Sequence, residues 1–152
     1  MRTKLRKKPV VVAVSGGFDP LHIGHVEMFR RAKALGDKLI VILNNDNWLK
    51  KKKGYVFMPQ KERMEIVKAI RYVDSIILTG HKPDTEDMSV SAELRKLRPH
   101  IYGKGGDRHR GNIPEVAVCE EIDCRLVDGL GPKVQSSSWL VDKAAGVKNS
   151  FV

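Results

Sequence analysis

Apolar and polar positions alternate in short blocks along the chain. Apolar runs at 10–14, 39–43, 75–78, 100–102 and 125–127 predict strands. Amphipathic runs at 25–35, 60–71, 90–97, 114–122 and 137–145 predict helices. Within 60–71, Met64, Val67 and Ile70 share one face, and Ile66 with Ile70 widens it. Gly36 stands where a helix C-terminal glycine is wanted, and Pro59 and Pro114 stand near helix starts, where a missing N–H is harmless. Five strands alternating with five helices imply a parallel sheet covered by helices on both faces. Ligands in such sheets sit beyond the carboxyl ends of the strands.

Length and composition narrow this picture. The 152 residues suit one domain with one adequate core, burying roughly 70% of the unfolded surface. The expected class is α/β, a Rossmann-like doubly wound parallel five-stranded sheet. The expected division is a basic arm over 1–9, the domain over 10–145 and a tail over 146–152. No apolar run approaches the ~20 residues of a membrane span, and the start lacks an apolar signal core. Cys119 and Cys124 make no disulfide framework and, lacking nearby Cys or His partners, no metal set is expected. A cytoplasmic setting follows.

The net charge of +10 is partly local. Arg2, Lys4, Arg6, Lys7 and Lys8 form the arm, and Lys50, Lys51, Lys52 and Lys53 form a second run, read as a mobile charged loop. With no aromatic-interleaved basic strand and no nucleic-acid module, nucleic acid is not the expected partner.

The segment Gly16-Gly17-Phe18-Asp19-Pro20-Leu21-His22-Ile23-Gly24-His25 joins the first strand to the first helix. Two histidines three apart at a helix start project from one face. Free backbone N–H groups and the positive dipole end suit an anion there. Together these describe a phosphate site.

This segment resembles the nucleotide-binding signature of the nucleotidyltransferase superfamily. Within it, the chain is similar to the small cytidylyltransferase-like group, which includes glycerol-3-phosphate and phosphocholine cytidylyltransferases and heptose-phosphate adenylyltransferases. Lys53-Gly54 followed by Glu62-Arg63, and Arg71-Tyr72-Val73-Asp74, resemble elements of the cytidine enzymes. Lys104-Gly105-Gly106-Asp107 is similar to the heptose enzymes, and Ser136-Ser137-Ser138 stands where the family has Ser-Thr-Thr.

The resemblance implies attack by a substrate phosphate on the α-phosphate of a nucleoside triphosphate carrying Mg²⁺, with pyrophosphate leaving. A phosphate monoester is already largely ionised near neutral pH, so alignment and charge stabilisation suffice. By this likeness His22, His25 and Lys53 are the catalytic residues, the imidazoles donating to phosphate oxygens. Gly16, Gly17 and Gly24 belong to the nucleotide-binding turn, the first two leaving room beside the first strand. Phe18 reads equally as packing. Asp19 either orients a histidine, holds Mg²⁺ through water, or is a turn aspartate before Pro20. Arg63 faces the phosphates or fixes its loop.

Gly105 and Asp107 suit a ribose hydroxyl or base edge, with a plain glycine turn as the alternative. Ser136, Ser137 and Ser138 suit the β- and γ-phosphates or an ordinary helix cap. Arg71, Tyr72, Val73 and Asp74 are expected to pack or bond locally. Arg108 and Arg110 are candidates for an acceptor phosphate. His81, His100, His109, Trp48 and Trp139 show no interpretable spacing and read as structural. Where the family places an arginine before its last motif, this chain has Gly131-Pro132-Lys133-Val134-Gln135, leaving Lys133 as a point charge without a bidentate fork.

The 53–74 region favours CTP and the 104–107 region favours ATP, with CTP slightly ahead. The acceptor is expected to be a phosphorylated small alcohol or sugar, and the family likeness implies a homodimer. The competing class is a non-catalytic nucleotide- or nucleic-acid-binding protein, against which the two histidines stand.

Overall fold

The computed structural model describes residues 8–105, 113–131 and 133–150. Its strands are β1 (Val11–Gly16), β2 (Lys38–Leu43), β3 (Ser75–Leu78), β4 (Ile101–Gly103) and β5 (Arg125–Val127). They form one sheet in the order β3-β2-β1-β4-β5, and every pairing is parallel. The helices are α1 (Ile23–Lys33), α2 (Asp46–Lys53), α3 (Gln60–Lys68), α4 (Ser91–Leu97), α5 (Val116–Glu121) and α6 (Ser137–Ser150).

Strand alternation explains the layers. In β1, Val12 and Val14 join one buried cluster, while Ala13 between them joins the other. In β2, Leu39, Val41 and Leu43 face the first side and Ile42 the second. Phe29 and Ala32 of α1 and Val67 of α3 complete the first cluster. Leu94 of α4 and Val118 and Cys119 of α5 complete the second. The sheet is therefore doubly wound, with helices on both faces.

The strand positions match the apolar runs closely, but α2 is a correction. The lysine run expected as a loop is helical. Asn45 caps it, its side chain accepting from the Trp48 N–H at 3.0 Å, and Gly54 ends it at φ 84 with its N–H on the Lys50 carbonyl. Leu49 is its buried residue, so the apolar stripe is too narrow to read through four consecutive lysines. The last helix also continues past 145, to Ser150.

One sequence motif, through Asp74, and two histidines read as structural hold the frame. Asp74 accepts from the Leu39 N–H at 2.7 Å and pairs with Lys33 at 2.5 Å. These bonds lower the Asp74 pKa, the Lys33 contact most. They lie at the amino ends of β2 and β3. His100 accepts the Val11 N–H through Nδ1, and His81 bridges Thr79 and Ser89. Cys119 and Cys124 are buried thiols outside any disulfide, and the neighbouring Cys119 thiol pushes the Cys124 pKa up, as does burial. Among the described residues, no helix is long and apolar enough to cross a membrane.

Candidate active site

The strand order reverses direction between β1 and β4, which opens a crevice at their carboxyl ends. A cavity of about 500 Å³ occupies it. The turn leaving β1 builds its floor. Phe18 takes φ 53, a left-handed conformation unusual for a bulky residue, and this folds its ring back over Gly16. A Cβ on Gly16 would lie 2.8 Å from that ring. The space gained at Gly16 thus holds Phe18, while Gly17 abuts Leu49 and Trp48. The Phe18 ring then meets His25 edge-on at 4.9 Å and Phe29 at 5.3 Å.

The two histidines cap their own helix. His22 Nδ1 accepts the Gly24 N–H at 3.1 Å, and His25 Nδ1 accepts the His22 N–H at 3.2 Å. A Cβ on Gly24 would press on the His22 ring at 2.9 Å, so glycine is what admits this cap. The rings stack with centroids 3.7 Å apart. Because each Nδ1 is an acceptor, each neutral ring carries its proton on Nε2. Burial, then the Lys53 ammonium, lowers the His22 pKa. Burial, His22 and Lys53 bring His25 down to about 3. Near neutral pH the pair therefore consists of uncharged N–H donors lining the cavity.

Cations surround the pair. Lys53 donates to the Asp19 carbonyl at 3.2 Å and lines the cavity with Lys52, whereas Lys51 turns outward to Asp84. Burial lowers the Lys53 pKa, Asp19 opposes that shift, and Arg63 adds to it. Lys104 bonds to Ser15 Oγ at 3.2 Å, and Ser15 in turn bonds to the Tyr102 hydroxyl at 2.6 Å. Lys133 lines the cavity 5.1 Å from the Trp139 ring centroid. The serines also belong to this rim. Ser136 Oγ accepts the Trp139 N–H, capping α6, and Ser137 Oγ donates to the Pro20 carbonyl. Ser138 Oγ lies 3.1 Å from Ser136 Oγ.

Gly16, Phe18, His22, Gly24, His25, Lys53, Gly105, Ser136, Ser137 and Ser138 all line one cavity. Gly17, Asp19 and Arg63 do not. Asp19 is fully buried, and its carboxylate accepts the Phe57 and Met58 N–H groups at 2.7 and 2.6 Å. Each oxygen thus holds a backbone N–H of the 57–58 segment. Arg63 is 0% exposed and spends its guanidinium on the carbonyls of Met58, Gly17 and Asn44 and on Asp46. It fixes three loops and lies outside the cavity lining. Asp107, with Arg108, His109 and Arg110, lies outside the described residues.

Sequence reasoning overlooked Ser15, Asn44 and Glu115 on the cavity wall, and it read Trp48, also there, as structural. Among the described residues no three His, Cys, Asp or Glu side chains gather as metal ligands. The donors around the cavity are imidazole and ammonium groups, which suit an anion.

The family model for cytidylyltransferase-like proteins matches residues 13–120. The chain belongs to the cytidylyltransferase-like family, and it is a nucleotidyltransferase. An FAD synthase of Pyrococcus horikoshii is 38% identical over 138 residues, covering 90% of this chain and 85% of that protein. An ethanolamine-phosphate cytidylyltransferase of Arabidopsis thaliana is 42% identical over 82 residues, covering 54% of this chain and 20% of that one. The bifunctional protein HldE of Streptomyces coelicolor is 34% identical over 73% of this chain and 23% of its own length. In fold, a lipopolysaccharide core biosynthesis protein of Thermoplasma volcanium superposes with a TM-score of 0.65 at 24% identity, covering 80% of this chain and 96% of that one.

Proposed function

We propose that this chain transfers an adenylyl group from ATP to flavin mononucleotide, giving FAD and pyrophosphate. The observation that carries the transfer chemistry is the stacked imidazole pair, fixed by its Nδ1 bonds as two neutral Nε2–H donors. A terminal phosphate oxygen of the acceptor attacks the α-phosphorus, and the bond from that phosphorus to the bridging oxygen of pyrophosphate breaks. Negative charge rises on the α-phosphate oxygens, where His22 and His25 donate. Donors already aimed at developing charge need no reorganisation during the step. Lys53 adds a cation from α2, and the α6 start offers N–H groups to the leaving phosphates. Mg²⁺ enters with the triphosphate as part of the substrate.

Preference for ATP and a flavin acceptor rests on the relatives. The FAD synthases match most of the chain, and an FAD product requires an adenylyl donor. Of the 53–74 region whose likeness favoured CTP, Lys53 lines the cavity and Asp74 does not. Asp74 bonds to Leu39 and Lys33 at the amino ends of the strands, opposite the cavity. There it holds the fold.

The test is pyrophosphate release with each of the four common nucleoside triphosphates. Each is paired with flavin mononucleotide, glycerol 3-phosphate, phosphoethanolamine or a sugar phosphate. Release with ATP and flavin mononucleotide is expected. Release confined to CTP and a phosphorylated alcohol would replace this reading with the cytidylyl one.

A further inference from the structure

Among the described residues, two buried oxygens on one wall of the cavity lack partners. Glu115 is 3% exposed; its Oε1 accepts the Val90 N–H at 3.2 Å, and its Oε2 has no hydrogen bond. Asn44 is 4% exposed, and its Oδ1 has none either. Both residues line the cavity, whereas a third such oxygen, Glu93 Oε2, belongs to a residue outside it. Buried acceptors in folded proteins almost always find a donor, so two orphans beside one open space indicate a ligand that supplies it.

Topology puts both on the same side of the sheet. Ile42 faces the α4/α5 layer, and the extended backbone continues through Asn44, whose N–H bonds to the Gly16 carbonyl. Asn44, two positions on, therefore shares the face of Ile42. Glu115 precedes α5 and holds Val90, which precedes α4. The histidines start α1, on the opposite layer. Trp48 and Met88 join the same wall, the indole N–H donating to the Met88 carbonyl at 2.8 Å. The wall is thus an aromatic and thioether surface with two unsatisfied acceptors, separated from the imidazole pair by the sheet edge.

We infer that this wall binds the organic body of the acceptor substrate, with Glu115 and Asn44 accepting hydrogen bonds that it donates. The matching chemistry is a phosphate monoester whose body carries N–H or hydroxyl donors beside an apolar planar face. The inference rests on the transfer reading above, with flavin mononucleotide as the specific acceptor, and makes Glu115 a residue that selects it. Acceptors without donors would leave Oε2 unpaired and bind poorly.

The test uses flavin mononucleotide and ATP as separate probes, titrated against the wild-type chain and Glu115→Gln. Glutamine keeps an oxygen for the Val90 N–H and replaces the other acceptor with a donor. The expected result is about tenfold or greater loss of flavin mononucleotide affinity, with ATP affinity within about twofold of wild type. Asn44→Ser, which shortens the second acceptor, is expected to move the same affinity in the same direction. Equal losses for both probes would mean that Glu115 only supports the loop. Unchanged flavin mononucleotide binding in both variants, or none in the wild type, would overturn the inference. ATP binding by the wild type, with pyrophosphate released from ATP in the presence of another acceptor, would still leave nucleotidyl transfer standing.

Discussion

His25 meets two requirements with one ring: its Nδ1 caps the backbone of His22, and its protonated Nε2 remains for a ligand. His25→Ala removes the donor and half of the cap, so turnover is expected to fall by about two orders of magnitude. Steady-state rates beside a circular dichroism spectrum check that the fold survives. The depressed pKa also has a sign in stability. Unfolded, His25 titrates near 6.5; folded, near 3. Between those values the unfolded chain binds more protons, so stability is full above pH 6.5 and falls as the solution is acidified. From pH 7.5 to pH 5 the His25 contribution amounts to about 2 kcal/mol. Urea melts should show this slope in wild type and a shallower one in His25→Asn. Equal slopes would place the proton elsewhere.

At the scale of elements, α2 brings Lys53 to the cavity. Asn45 starts this helix and Gly54 stops it, and the helical turn between them sends the four lysines to two sides. Lys52 and Lys53 reach the cavity, while Lys50 and Lys51 border a surface groove with Asp84. Lys53→Ala should therefore raise the KM for the triphosphate or lower kcat far more than Lys50→Ala, read from initial rates. Equal small effects would return the run to a solvated face. The strands were legible because buried parallel strands are short, apolar and bounded by turns. The helix over 46–53 was not, because its signals are one cap, one glycine and a single buried leucine among lysines. The His22 and His25 positions could be read because their spacing is local. Arg63 and Asp19 could not be resolved, since their partners lie 38 to 46 residues away for the Phe57 and Gly17 contacts. Glu115 and Asn44 left no sequence signal, because an unsatisfied oxygen is a property of packing.

Across the whole molecule, the parallel order β3-β2-β1-β4-β5 gathers the β1 turn, α2, the loop after β4 and the start of α6 at one crevice. Arg63 ties three of the supporting segments together with its side chain wholly buried. Arg63→Ala would strand the carbonyls of Gly17, Asn44 and Met58 and leave a void. A loss of about 3–5 kcal/mol in denaturant melts is expected. A change below about 1 kcal/mol would mean that solvent replaces the guanidinium without cost. The site is thus a product of the sheet: its histidines sit on one layer and its orphaned acceptors on the other, and the proposed transfer has the reacting phosphates between them. Product analysis of ATP and flavin mononucleotide incubated with the chain and Mg²⁺ tests this directly. FAD and pyrophosphate in equal amounts are the expected result; a chain that binds both substrates yet forms neither product would contradict it.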